Sequence, residues 1–226
     1  MTDGPVEPRL AATVLLLRDG AAGIETWLMR RVPKMAFAPS ASVFPGGGVD
    51  PADFEGETAP EVAERFGIDA ELAGVVVRAA VREVEEETGV RLDASTLHPW
   101  ARWITPEVES RRYDTYFFAA LLPAGALAES ISTEASVAEW VPAAEALAQY
   151  ARGERRMLPP TVHNLTALIA FGSAAEAMAS AVDRSLTPIM PTLLLDAEGG
   201  PVADLGNGET LPLPADFISA TGRTPS

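Results

Sequence analysis

From Leu10 to Leu17 the chain reads LAATVLLL, a short apolar run; after breaks at Asp19-Gly20 and Gly23, the segment IETWLMR alternates from Ile24 onward. Two such segments joined by a glycine-marked turn predict a β-hairpin. The loop RVPKMAFAPSA and then VFPGGGVD follow. Three consecutive glycines after a proline are expected in neither a helix nor a strand interior. Asp50 to Asp69 is punctuated by Pro51, Gly56, Pro60 and Gly67, with one short helix expected at EVAERF. A long helix is predicted from about Ala70 to Thr88, with Gly89 at the left-handed position that ends helices. LHPWARWITP and YDTYFFAALLP read as alternating aromatic strands, SVAEWVP as a shorter one, and Pro142 opens a helical run, AAEALAQYA.

The order strand, strand, helix, strands, helix, with no internal repeat, predicts an α+β chain built on a mixed sheet. From Leu158 the character changes. Pro159-Pro160 open a helix of about twenty residues, TVHNLTALIAFGSAAEAMASAV, followed by a proline-broken strand region, PIMPTLLLDAEG. Residues up to about Glu7 and beyond about Pro214 read as loose ends. We therefore expect one domain over residues 8–154, interrupted by an insert at about 50–69, with residues 155–226 an extension packed on the same domain. The extension could complete the sheet, cap a substrate pocket or make a homodimer contact.

Charge narrows the function. Among 226 residues there are 17 basic and 32 acidic side chains, a formal charge of −15. Such a chain repels nucleic acid and anionic membranes, so an anionic ligand must meet a local basic patch or a metal ion. The absence of cysteine excludes disulfides, thiolate metal sites and cysteine nucleophiles. Two histidines, His98 and His163, are too few for a His-rich metal site, and we read both as structural. Lys34, the sole lysine, is not in a P-loop context. Leu165 to Val182, broken by Glu176, reads as a buried helix rather than a membrane span, and no targeting signal is evident at either end. The expectation is a soluble cytoplasmic protein.

The long helix carries an anomaly. At about 100° per residue, Glu83, Glu86 and Glu87 share one arc of about 100°, bordering the apolar face formed by Val77, Ala80, Val81, Val84 and Thr88. Arg78, Arg82 and Glu85 fall on the far side, with Arg82 pointing away from the acids. Like charges at these spacings each cost roughly 0.2–0.5 kcal/mol. Carboxylates in the last turn oppose the helix dipole by about 0.3–1 kcal/mol. A divalent cation would compensate both, because oxygen ligands on one rigid face suit Mg²⁺ or Mn²⁺.

The string Arg82-Glu83-Val84-Glu85-Glu86-Glu87-Thr88-Gly89-Val90 resembles R-E-U-x-E-E-x-G-U, the second half of the Nudix box, with U a bulky aliphatic residue, and Gly46-Gly47 resembles its start. The resemblance implies a Nudix fold, an α/β/α sandwich, and Mg²⁺- or Mn²⁺-dependent hydrolysis of a diphosphate linkage in a nucleoside diphosphate conjugate. Between Gly47 and Arg82 the chain is longer than the pattern by about 21 residues. Counted back from the arginine, the first glutamate of the pattern, which braces the helix through that arginine, falls on Gly74; Glu71 is a substitute. RRVPKMAFAPSASVFPGGGVDPADF and ITPEVESRRYDTYFF resemble the branch that includes the peroxisomal coenzyme A diphosphatase. Coenzyme A-like compounds, ADP-ribose and nucleotide sugars are the substrate candidates. A non-hydrolytic nucleotide-binding regulatory module is the alternative.

Within this reading Glu83, Glu86 and Glu87 are the metal ligands. The general base is Glu83 or a loop carboxylate, Glu134 or Glu139, since an acid gripping a cation is a poor base. Gly46 and Gly47 let the backbone approach the metal or phosphate. Arg30, Arg31 and Lys34 form one basic cluster and Arg111-Arg112 another, which makes Arg30, Arg31 and Arg112 candidate anion contacts. Trp100, Trp103, Tyr113 and Phe117 are stacking candidates or core.

Overall fold

The hairpin is present in the computed structural model, which describes residues 5–32, 40–131 and 135–213, as β1 (Arg9–Gly20) and β2 (Gly23–Arg31). Its strands pair only near the turn, from Leu17↔Thr26 to Gly20↔Gly23, and then splay apart. The glycine loop fills the gap. β3 (Ser42–Val43) pairs with β2 at Met29 and Arg30, while β4 (Gly46–Gly48) pairs with β1 at Ala11 to Thr13. The three glycines are therefore a short strand, contrary to expectation. They take the role because their partner backbone is so close: a Cβ on Gly46, whose φ is +153°, would collide with the Ala12 carbonyl and lie 2.6 Å from Thr13 Cα.

A 3-10 turn (Pro51–Phe54) and α1 (Pro60–Phe66) lie between the glycine strand and α2 (Ala70–Thr88), whose boundaries are those read from the sequence. Asp69 caps its start through a hydrogen bond from Leu72 N, and Gly89, at φ 71°, ends it. Then come β5 (His98–Ile104), β6 (Tyr113–Leu121), β7 (Ala135–Pro142) and α3 (Ala143–Ala151). β6 lies parallel to β1 and antiparallel to β5, and β7 flanks the other edge of β2, so the sheet is mixed.

The expected twenty-residue helix is two helices, α4 (Pro159–Leu168) and α5 (Ala174–Ser180). The break has a local cause: Ser173 accepts a hydrogen bond from Glu176 N and so caps a new helix just after Gly172. β8 (Pro188–Ile189) pairs parallel with β5, and β9 (Thr192–Leu195), β10 (Pro201–Asp204) and β11 (Thr210–Pro212) form a separate three-stranded sheet. The extension thus completes the main sheet. The masses on its two faces follow from strand alternation. Ala12, Val14 and Leu16 of β1 face α2 and α1, together with Tyr116 and Phe118. Leu15 and Leu17 face the other way, into a core with Leu165, Leu168, Ala177 and Ala203 from α4, α5 and the small sheet, and with Leu213 just beyond it. This is an α+β architecture of three layers. Among the described residues no helix is long and apolar enough to cross a membrane.

Candidate active site

α2 lies on β1 with Val76, Val77, Ala80 and Val84 buried beneath it, and this packing leaves its acidic arc against the glycine strand. Glu87 is buried, 7% exposed, and its Oε2 accepts a hydrogen bond of 2.8 Å from Gly46 N. Glu83 lies against Gly47: a Cβ there would be 2.8 Å from Glu83 Oε2 and closer still to the rest of the carboxylate. Glu86 completes the arc at the rim, its side chain 58% exposed. The structure thus brings Glu83 and Glu87 together with Gly47 and Gly46, and Glu86 stands at the rim beside them on the same helix. Burial raises the Glu83 carboxyl above its ordinary value, against the hydrogen bond and charge of Arg82. The carbonyls at the end of α2 are met by the chain that follows β6: Glu129 N donates to Thr88 O at 3.0 Å and Ile131 N to Glu87 O. That contact relieves the helix end that the acids burden.

Arg82 does not point away from the acids. Its Nη1 lies 2.8 Å from Glu83 Oε1 and 3.3 Å from Glu86 Oε2, because a long side chain beginning on the neighbouring stripe of the helix reaches across it. The other edge of the guanidinium is held by Asp53, with Nε 3.2 Å from Oδ1 and Nη2 2.8 Å from Oδ2, and Nη2 also donates to Gly48 O at 3.0 Å. Asp53 is 4% exposed and accepts a further hydrogen bond from Asp50 N at 2.8 Å. Burial alone would raise its carboxyl, but the hydrogen bonds from Arg82 and Asp50 and the charges of Arg82 and Arg78 outweigh that and hold it low.

Asp53 is the residue that sequence reasoning missed. It stands six positions after Gly47, the place of the first acid in the box counted forward, one methylene shorter than the glutamate of the pattern. The extra chain follows that acid instead of preceding it, so counting back from Arg82 arrives wrongly at Gly74. Glu71 is not the substitute, since Asp53 occupies the arginine.

The remaining candidates separate from this cluster. Glu139 pairs with Leu28 across β7 and β2 and therefore shares the face of the sheet opposite α2. There it accepts a 2.8 Å contact from Arg155 Nη2; Arg155 is buried and also binds Gln149 and Ser42. Arg112 is 7% exposed and ties the β5–β6 connection to the segments before β1 and after β8, donating to Thr105 O at 3.0 Å and Val6 O at 2.8 Å, with Met190 Sδ at 3.7 Å. As placed, Glu139 and Arg112 each hold partners of their own within the fold. Arg30 and Arg31 end β2 beside the glycine loop: Arg30 pairs with Ser42 and is exposed, and Arg31 is half-buried. Glu134 and Lys34 lie outside the described residues. Trp100, Trp103 and Phe117 are buried in the core opposite α2.

This arrangement of a carboxylate-lined helix against a glycine loop on a splayed hairpin agrees with the comparisons. The NUDIX domain model matches residues 7–160, and the chain belongs to the Nudix hydrolase family. The acyl-coenzyme A diphosphatase NUDT19 of Xenopus laevis is 23% identical over 250 residues, covering 75% of this chain. The chain spans 66% of that relative's length. The crystal structure of a NUDIX hydrolase from Alicyclobacillus acidocaldarius matches with a TM-score of 0.68 at 26% identity, covering 81% of this chain and 99% of that one.

Proposed function

We propose that this chain hydrolyses the diphosphate linkage of a nucleoside diphosphate conjugate, with Mg²⁺ or Mn²⁺ held by Glu83, Glu86 and Glu87. The observation that carries the reading is the meeting of Glu87 and Glu83 with the strand of Gly46 and Gly47 at one end of α2, with Glu86 joined to Glu83 through Arg82 Nη1. Their chemistry fits the ion, since Mg²⁺ and Mn²⁺ favour hard oxygen donors. The fit asks for rearrangement: Arg82 Nη1 stands between Glu83 and Glu86, and among the described residues no three acids are already gathered as ligands. Glu86, at the exposed rim, is the member with most freedom to turn.

Bound there, the cation supplies neutralisation of phosphoryl charge and a more acidic water. The residues do the rest. Water attacks phosphorus, the bond from phosphorus to the bridging oxygen breaks, and each product keeps a phosphoryl group. The water's proton passes to a carboxylate, Glu83 where the cation leaves it free and otherwise a loop acid such as Glu134, since an acid gripping the cation is a poor base. The Gly46 N–H fixes Glu87, and Asp53 holds Arg82 so that it does not close fully over Glu83 and Glu86. A coenzyme A derivative is the first substrate to test, on the strength of the relative's name, with ADP-ribose and nucleotide sugars as the other arms. Each compound is incubated with the protein and Mg²⁺, and both products are identified by mass. One conjugate is expected to yield two phosphorylated products; no such pair from any of them overturns the proposal.

A further inference from the structure

α2 contains a buried glycine, Gly74, where helix propensity favours almost any other residue. The inserted segment explains it. A Cβ on Gly74 would overlap the Thr58 hydroxyl and lie 2.9 Å from Thr58 Cβ and from Arg78 Nη1. The insert therefore rests on the bare backbone of the helix. One turn further along, Arg78 binds carbonyls at the root of the insert and within it, with Nε 2.8 Å from Asp53 O and Nη1 3.3 Å from Glu57 O. One more turn along, Arg82 takes the carboxylate of the same Asp53. Asp53 is thus gripped at both its main chain and its side chain by arginines four residues apart on one helix face.

We propose that Gly74, Thr58 and Arg78 form a seat that locks the insert onto α2 and, through Asp53 and Arg82, positions the carboxylates of Glu83 and Glu86. The inference rests on the reading of those carboxylates as the metal-binding group. With Nε and Nη2 held by Asp53, Arg82 offers Glu83 and Glu86 a single nitrogen. Freed from Asp53, its planar fork can bind these carboxylates through both edges and compete with a cation for them. Gly74, Thr58 and Arg78 are positioning residues, since none of them touches the acids they arrange.

The test compares wild type with Gly74→Ala, Arg78→Met and the double variant Thr58→Gly/Gly74→Ala. It reads Mn²⁺ binding by calorimetry without substrate, hydrogen exchange at the α2 amides, and the Mg²⁺ concentration for half-maximal activity. Gly74→Ala and Arg78→Met are expected to weaken Mn²⁺ binding about tenfold and to raise the Mg²⁺ requirement by a similar factor, the range of supporting contacts around a metal site. Exchange in α2 should quicken, with KM little changed. The double variant, which removes the clashing side chain, should recover Mn²⁺ binding to within about threefold of wild type. Propensity alone predicts that alanine at 74 raises the melting temperature, whereas the seat predicts that it falls. Wild-type Mn²⁺ binding in both single variants overturns the seat, and so does a folded double variant as defective as Gly74→Ala. An unfolded Gly74→Ala leaves the decision to Arg78→Met. A wild type that binds Mn²⁺ but cleaves no conjugate contradicts the proposed function and leaves the seat to be judged by binding and exchange.

Discussion

The two faces of the central sheet use charged residues in opposite ways. On the α2 face, Asp53, Arg82, Glu83, Glu86 and Glu87 form a connected polar edge with an excess of acid, one end buried and the other open to solvent. On the opposite face, Arg155 is buried with Gln149, Ser42 and Glu139 around it, beside an extensive apolar core. A charge whose donors are all answered holds elements together. Acids crowded beyond what one arginine can answer need something further, and the proposed cation on the α2 face would supply it.

The comparison can be broken most severely at Glu87. Glu87→Gln and Glu86→Gln should each reduce turnover more than about 100-fold, beyond the range of supporting contacts, while changing the melting temperature little. Steady-state rates and thermal melts check this together. On the other face the effect should fall on stability. Leu165→Ala, at a fully buried position in α4, should cost about 2–5 kcal/mol in denaturant unfolding without altering KM. That result would also show that the extension belongs to the same cooperative core. Glu139→Gln should cost about 1–3 kcal/mol by weakening the partner set of buried Arg155, with turnover within about threefold of wild type. A large loss of turnover there would erase the distinction between the faces.

The smallest effect concerns acid. The folded-state value of Asp53 lies below the 3.8 of an ordinary aspartate, so the unfolded chain takes up its proton first as pH falls. Its contribution is therefore complete above that ordinary value and is lost as pH drops through the lower, folded one. Asp53→Asn should flatten that part of the stability profile, and unfolding measured from pH 5 to pH 2 would show it. Glu83, raised by burial, acts with the opposite sign, its contribution declining as pH rises through its elevated value.

Much of this was legible in the residues. The spacing of Glu83, Glu86 and Glu87 against the apolar stripe of α2 reported both the helix and the face on which the acids meet the loop, because helical periodicity constrains both. The hairpin and Gly89 followed from local chemistry. What stayed hidden depended on chain that is distant in sequence. Asp53 reaches Arg82 across 29 residues of chain, and helical angles treat Arg82 as a direction when it is a long side chain that can cross to the next stripe. Glu139 and Arg112 are polar residues beside the expected loops, and nothing local distinguishes a structural clamp from an anion contact. The strand made by Gly46 to Gly48 required the splay of β1 from β2, which is a property of the pair and not of the glycines.

The central claim is that the carboxylates at the end of α2 are a divalent-cation site. Titration of the intact chain with Mn²⁺ in a calorimeter, for wild type and for the Glu86→Gln/Glu87→Gln double variant, tests it most directly. Saturable binding by wild type that weakens at least about tenfold in a folded double variant is the predicted result. Equal binding by both proteins, or none by wild type, would contradict it.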